Sequence, residues 1–578
     1  MIMRKIVTIL CCLMALLSAC DSFFDPKLTN NKGEQQLIDD PNIIRGFITF
    51  AYRSIPLNYD AFGSDFLDCA TDNALTNNLS GSMNLMSGQN GYWTNISNPL
   101  DNWNASYENI RSLNDFIERG LGEDIVYIRS NAQENADYRN RLKGEAYFLR
   151  AWIQFDLLRR FSGIDTEGKL MGFPIITQTM SVEKIEMRPR NTFDECVKQI
   201  LDDITVALSA GLKDKYEGDN AIWGATNLGR PTTVACKALK SRVLLYAASP
   251  AYNLHEDAER YKQAAQAAKD VIDMIGTTLP DIYKVDNISA IFYNNDDCDE
   301  LILRRVAGNE TGDLGMETRH FAPAVGLIGA GKCNPSQNLV DAFPMANGYP
   351  IDHPDAQRPA DMYAERDPRL AMTILHNGSV FKGVEIQTYS GGNCMPGATG
   401  VTDQNSTRTG YFLRKWISSK VNLISGNTIT DYHYYAMFRK VEAFLNFAEA
   451  ANFAYGPDDK TLGMSAREAI AEVRRRAGLA SAGDPYLYSL NTKDELEGLI
   501  KNERRIELCF ENHRFFDLRR WKEGMNESVK GITFSGPDDK EGRVTVVQTP
   551  VYRDYMIYGP IPNAERMKCP AITQNQGW

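Results

Sequence analysis

Glu503-Arg504-Arg505-Ile506-Glu507-Leu508-Cys509-Phe510-Glu511-Asn512-His513-Arg514-Phe515-Phe516-Asp517-Leu518-Arg519-Arg520-Trp521 interleaves charged and large apolar residues along its whole length. A solvated helix face does not carry this much aromatic bulk, and an ordinary core helix does not carry this much charge. Ile506 and Phe510 stand four apart on one helical face, and Glu507, Glu511 and Arg514 follow at four- and three-residue steps on another. The spacing predicts a helix over 494–521 that buries aromatic side chains beside paired charges. Charge pairs at helical spacing are mostly structural, so an ion-paired structural helix is preferred here to a catalytic cluster.

Helical periodicity extends outward from this segment. Apolar residues recur at three- and four-residue steps over 102–118, 138–161, 192–210, 232–248 and 256–275, and again over 436–455 and 465–476. The segments 232–248 and 256–275 read as a hairpin. Ala235, Ala238, Leu239, Val243 and Tyr246 face Ala264, Ala265 and Ala268, the small residues let the backbones approach, and Tyr261 and Ile272 fill the ends. Such pairs resemble tetratricopeptide repeats, although no clean period of about 34 residues appears. Between 281 and 435 Gly, Pro, Asn and Asp punctuate short apolar runs, and 308–348 carries no helix-length period. The expected fold is mainly α: a helical-hairpin scaffold made by both ends of the chain, with a long irregular, loop-rich insertion mounted on it.

At the N-terminus Arg4 and Lys5 precede an apolar run from Ile6 to Leu17, and Leu17-Ser18-Ala19-Cys20 places small residues before a cysteine. Residues 1–19 read as a lipoprotein signal peptide, with acylation at Cys20; the run is too short to span a bilayer, which takes about 20 residues. The mature chain is then membrane-bound through lipid alone. The formal net charge of −11 becomes two units more negative without Arg4 and Lys5, and no basic block exists, which argues against nucleic-acid binding. Eight of the eleven cysteines are scattered from Cys69 to Cys569 with no Cys-x-x-Cys pair. They read mostly as buried thiols, with room for one or two bridges.

The opening segment, as Glu503-Arg504-Arg505, Glu507, Phe510-Glu511, His513-Arg514 and Phe516-Asp517-Leu518-Arg519-Arg520-Trp521, resembles the C-terminal signature of the SusD/RagB family, nutrient-binding outer-membrane lipoproteins of the Bacteroidetes. It departs at Asn512, where the family usually has Gly. Further similar segments occur in family order: Gly144-Glu145-Ala146-Tyr147-Phe148-Leu149-Arg150-Ala151, Asp367-Pro368-Arg369-Leu370, Thr409-Gly410-Tyr411-Phe412, Glu442-Ala443-Phe444-Leu445-Asn446-Phe447-Ala448-Glu449-Ala450, and the tail from Ile561-Pro562 to Gln574-Asn575-Gln576-Gly577-Trp578. Gln576 and Trp578 stand where the family has Pro and Tyr. The resemblance implies a surface-exposed, lipid-anchored, non-enzymatic protein of the outer membrane, with Asp21 after the lipid cysteine matching surface-exported lipoproteins. It further implies a SusC-like TonB-dependent transporter partner, over which the chain acts as a lid; from the residues themselves no cofactor or metal is expected. The implied regions are 20–280, a SusD-like N-terminal helical part, and 281–578, a C-terminal part made of the irregular lobe 281–435, returning helices 436–523 and a tail 524–578. The resemblance implies a glycan ligand, or an oligopeptide as in the RagB branch; a surface glycoside hydrolase is the rival from another class.

Other chemistry is poorly supported by the residues. Gly326-Leu327-Ile328-Gly329-Ala330-Gly331-Lys332 matches a phosphate-binding loop through the lysine, but Cys333 replaces the magnesium-ligating hydroxyl and Pro335 discourages the helix that would hold the phosphates. His255, His320, His353, His376, His433 and His513 form no His-x-x-x-His pair, and no Gly-x-Ser-x-Gly elbow exists. The acidic run Asp296-Asp297-Cys298-Asp299-Glu300 lacks the alternating ligands and glycine of an EF-hand loop and reads as a solvated turn. A glycan site needs flat aromatic faces and planar polar groups in a rigid concavity. Gln89-Asn90-Gly91-Tyr92-Trp93-Thr94-Asn95 offers both kinds in a polar loop, so Asn90, Tyr92, Trp93 and Asn95 are candidate contacts, with packing of that loop on the scaffold as the alternative. Trp223, Tyr293-Asn294-Asn295 and Arg319-His320-Phe321 are weaker candidates, while Trp103, ahead of Tyr107 and Ile110, reads as core.

Overall fold

The computed structural model describes residues 40–281, 298–307, 315–431, 433–479 and 483–578. Helices dominate them. α1 (Pro41–Ala51), α2 (Trp103–Arg119), α3 (Ala132–Phe161), α4 (Phe193–Ser209), α5 (Thr233–Ala248) and α6 (Ala258–Ile275) form the first part, and α7 (Lys440–Ala454), α8 (Ala466–Arg476), α9 (Lys493–Glu507) and α10 (Arg514–Trp521) the second. Each helix from α1 to α8 packs on the next, giving four stacked pairs in the manner of tetratricopeptide repeats, and α9 closes against α7 and α8. α6 packs directly on α7 across the whole intervening insertion. The anticipated α5/α6 seam is present: Ala235, Leu239, Val243, Ala265, Ala268 and Ile272 are fully buried, and Tyr261 stacks on Phe453 of α7 at 4.1 Å.

Local chemistry sets the helix starts. Thr192, Ser465 and Thr492 each close a capping box with a glutamate three residues on, a contact of about 1 kcal/mol per helix end. α3 begins earlier than its apolar period suggests because Asn131 accepts from the amides of Gln133 and Glu134, so its first turns are polar and capped.

The insertion starts and ends in one two-stranded antiparallel sheet, β1 (Leu301–Ala307) against β2 (His433–Arg439), with bulges near Phe438. The helix expected from Ala436 therefore starts at Lys440 instead; aromatic residues with a strand partner outcompete the helical period. Within the insertion Phe321, Leu327, Phe381, Ile386, Phe412 and Val421 form a second, small core. Lys332 is engaged internally, donating to the carbonyls of Gly63 and Ser64. Glu300 is fully buried and bridges Arg439 and Arg476, so the acidic run is not a solvated turn at that end; Asp296 and Asp297 lie outside the described residues. All eight described cysteines are free thiols and all but Cys298 are buried.

The opening segment is not one helix. α9 ends at Glu507 and α10 begins at Arg514, because Phe510 and Asn512 adopt φ of 60° and 62°. That left-handed conformation explains why asparagine is tolerated at 512, since it is the commonest non-glycine visitor there. Its side chain is also used: the oxygen accepts from Leu67 N and the amide donates to Tyr59 O. Around this corner the charges pair across the molecule. Glu503 meets Arg369 at 2.8 Å and Arg474 at 2.6 Å, and Glu507 meets Arg369, Arg439 and Arg476. Glu511 meets Lys415 and Arg439, Arg504 and Arg520 share Asp517, Arg520 also holds Glu449, and Arg505 and Arg514 share Asp72. The segment is the hub joining scaffold, insertion and N-terminal loops.

Candidate functional site

A cleft of about 280 Å³ opens where the loop 53–62 after α1, the start of α2 and the last turns of α3 meet. Its order comes from α3. Asp156, Arg159 and Arg160 share a face at i, i+3 and i+4, and both guanidiniums close on the one carboxylate: Arg159 Nε donates to Oδ1 at 2.7 Å and Arg160 Nε to Oδ2 at 2.8 Å. Asn102, the residue before α2, donates its amide to the same Oδ2 at 2.6 Å. Burial alone would push the Asp156 carboxyl up, but Arg160 and Arg159 hold it below the ordinary carboxylate range. Arg160 further donates to Leu100 O at 2.9 Å, pinning the entry to α2, and lies 5.6 Å from the Phe62 ring centre; Arg159 lies 4.3 Å from that of Phe516. Trp152 and Ile153 line the cleft as well.

Three polar atoms lining this cleft are buried and have no hydrogen-bond partner among the described residues: Ser54 Oγ, Asn102 Oδ1 and Asn109 Oδ1. Asn109 is 3% exposed, and its amide nitrogen is already spent on Ala105 O. A buried acceptor left without a donor costs about 1–3 kcal/mol, and these three atoms lie just behind the cleft surface, so a donor from water or a ligand hydroxyl reaches them once a neighbouring side chain shifts. The cleft wall therefore holds two amide acceptors and a hydroxyl behind its surface, beside two fixed guanidiniums. The carboxylate of Asp156 is committed at both oxygens to Arg159, Arg160 and Asn102, which leaves it poorly placed as a nucleophile.

A larger groove, about 550 Å³, runs along α2 between 174–188 and the C-terminal stretch 565–572. Its walls are mainly apolar, with Trp103, Ile176 and Ile572 among them, and its buried polar groups are satisfied: Tyr107 donates to Pro174 O, and Asn114 donates to Ile176 O and accepts from Arg150. Size favours this groove; unmet hydrogen-bonding capacity favours the smaller cleft.

The sequence candidates fall elsewhere. Trp93 is 2% exposed, donates to Asn98 Oδ1 and packs against Phe515, Tyr552 and Trp578, so it offers no free face; this aromatic belongs to the core. Tyr92 is half-buried, Asn90 accepts from Arg553, and the backbone oxygen of Asn95 accepts from Asn563, so the 89–98 loop packs on the C-terminal tail. His320 is fully buried against Asp60 and Phe66, and Phe321 sits in the insertion's core. Trp223 lies on the α4–α5 loop, half-buried and parallel to Tyr216. Tyr293, Asn294, Asn295 and the lipidation residue Cys20 lie outside the described residues. Trp103 is core, as expected, against Tyr107 and Phe161. The cleft residues had one legible signal: Asn102, Ser106 and Asn109 recur at helical spacing where an inward face should be apolar.

Residues 300–578 match the family model described as "SusD family", and residues 22–245 match the one described as "Starch-binding associating with outer membrane". The chain belongs to the SusD/RagB family. A SusD-like protein from Bacteroides fragilis superposes with a TM-score of 0.74 at 25% identity, over 94% of this chain and 98% of that one. A laminarin-binding SusD-like protein shares the fold, with a TM-score of 0.58 at 19% identity over 93% of this chain and 99% of its own. The SusD-like protein P2 of Formosa agariphila is 31% identical over 139 residues, only 23% of this chain and 24% of that protein. Within the SusD/RagB frame, the departure at Trp578 is accommodated: its indole donates to Tyr558 O and its ring meets Trp93 and Tyr555 edge-on, each at 5.0 Å. No helix among the described residues is long and apolar enough to cross a membrane.

Proposed function

We propose that this SusD/RagB protein captures a glycan in the cleft formed by 53–62, α2 and α3, and hands it to a SusC-like TonB-dependent transporter. On this reading 1–19 is removed, Cys20 carries the lipid, and the helical region 20–280 and the C-terminal region 281–578 face the cell exterior from the outer membrane. The observation that carries the binding reading is the set of buried acceptors, Ser54 Oγ, Asn102 Oδ1 and Asn109 Oδ1, beside the guanidiniums of Arg159 and Arg160. Sugar hydroxyls both donate and accept, which suits that arrangement. The laminarin-binding relative and the starch-binding family description support a glycan in general. Binding is favoured over hydrolysis because Asp156 has both oxygens engaged.

An oligopeptide is the second reading, and the apolar groove along α2 is the feature that favours it. Titration of the purified soluble chain against neutral and acidic glycans and against peptides separates the two. Glycan binding that weakens in Asn109→Leu supports the cleft; peptide binding unaffected by that change moves the site to the groove. Release of reducing sugar by the purified protein overturns the non-enzymatic reading.

A further inference from the structure

The cleft departs in charge from the chain that carries it. The protein has a formal net charge of −11, yet the charged residues lining this cleft are three arginines, Arg53, Arg159 and Arg160, against two aspartates, Asp101 and Asp156. Asp156 is already neutralised by two of the arginines. Those two guanidiniums are not exhausted by the pairing. Among the described residues Arg159 Nη1 and Arg160 Nη2 make no hydrogen bond: Arg159 uses Nε and Nη2 on Asp156, and Arg160 uses Nε on Asp156 and Nη1 on Leu100 O. Arg53, at the mouth, lies 3.6 Å over the Phe50 ring.

A neutral sugar needs donors and acceptors but gives no return for three arginines gathered in an acidic protein. A planar or tetrahedral oxyanion does, because the guanidinium fork matches its geometry and opposite charges add to hydrogen bonds that are already charge-assisted. Asn102 bonds the same Asp156 oxygen as Arg160, so its unpaired acceptor and the arginine donors lie within one sugar unit of each other. We infer that the cleft takes a glycan bearing an anionic group, a uronate carboxylate or a sulfate ester, seated on Arg159 and Arg160, with neighbouring hydroxyls donating to Asn102 and Asn109. This rests on the glycan reading of the same cleft and adds the class of sugar. The volume of about 280 Å³ suits an end or a side unit of a chain and not a long internal stretch.

The test uses two matched pairs of probes on the intact soluble chain: oligogalacturonides with their carboxyl-reduced counterparts, and sulfated galactan oligosaccharides with their desulfated counterparts. At least one acidic probe binds about tenfold or more tighter than its neutral partner, with an advantage that shrinks as salt rises. The uronate pair and the sulfate pair decide which oxyanion is preferred. Arg160→Gln removes the advantage, so that each acidic probe binds like its neutral partner. Arg53→Gln, at an exposed position whose loss does not threaten the fold, reduces it by about threefold, a rim charge's share. If both acidic probes bind no tighter than their neutral partners, or if only neutral glycans bind, the inference falls and the glycan reading stands. If no glycan of either kind binds, both fall.

Discussion

The hub at 503–521 and the cleft beside α3 are both buried and both rich in charge, but they handle it oppositely. In the hub Glu503, Glu507 and Glu511 take guanidinium or ammonium partners from other parts of the chain, Glu507 alone meeting Arg369, Arg439 and Arg476, while Asp517 is held by Arg504 and Arg520 of the hub itself. In the cleft the charges pair only with residues beside them on α3, and the acceptors of Ser54, Asn102 and Asn109 are left over. Long-range charge pairing holds a fold in register; local charge pairing beside surplus acceptors leaves capacity for something from outside. A high density of charge is therefore a poor marker of function, and incomplete pairing a better one.

The sharpest way to break this comparison is to unbalance the hub. Glu507→Gln keeps the shape and removes the charge, leaving three buried arginines short of one partner. A loss of about 3–5 kcal/mol in urea unfolding is expected, as for a buried pair with one member removed. A variant within about 1 kcal/mol of wild type would mean that the neighbouring Asp367, Glu300 and Glu511 carry the hub without it.

The same contrast explains what was legible in the sequence. The hub announced itself because its residues are contiguous and their types are incompatible with either a surface or an apolar core, and the α5/α6 seam because Ala235, Ala265 and Ala268 repeat at helical steps. The break at Phe510 and Asn512 did not, because a left-handed turn made by non-glycine residues has little local signature. Nor did the end of the insertion: Ala436 to Arg439 lies in a strand whose partner, Leu301–Ala307, is far away along the chain. Trp93 and Tyr92 read as ligand contacts because they are adjacent aromatics in a polar loop, but the tail that covers Trp93 arrives from residues 552 and 578. The cleft is assembled from three separated segments, and only the polar Asn102, Ser106 and Asn109 hinted at it.

A smaller effect sharpens the hub side. Burial, followed by the fields of Arg242 and Arg504, holds the imidazole of His513 well below its ordinary range, so it stays neutral in the fold. The unfolded chain takes up a proton below about pH 6.5. The stabilisation from this group is therefore complete above that pH and is lost as pH falls beneath it, by about 1.4 kcal/mol per unit. His513→Gln keeps an acceptor for Arg504 and removes the titration. Urea midpoints of wild type and variant at pH 7.5, 6 and 5 should diverge at pH 7.5 and converge towards pH 5; parallel curves would show that His513 is protonated in both states or in neither.

The smallest effect on stability belongs to the cleft, and it has the opposite sign from the hub. Asn109 lies on the buried face of α2, and its side chain's one hydrogen bond among the described residues, to Ala105 O, is to a carbonyl of its own helix. Leucine at this position fills nearly the same volume and removes an acceptor that has no donor. Because the desolvation of Oδ1 is a cost the folded chain bears without return, Asn109→Leu should leave stability unchanged or raise it by up to about 1 kcal/mol. Ligand affinity should move the other way, by about tenfold, or about 1.4 kcal/mol, since a hydroxyl that donated to Oδ1 then meets a methyl group. Unfolding and titration on the same preparation read both. A stability loss comparable to that of Glu507→Gln would place Asn109 in the structural network, and the distinction between a hub of long-range ion pairs and a cleft with surplus acceptors would not hold.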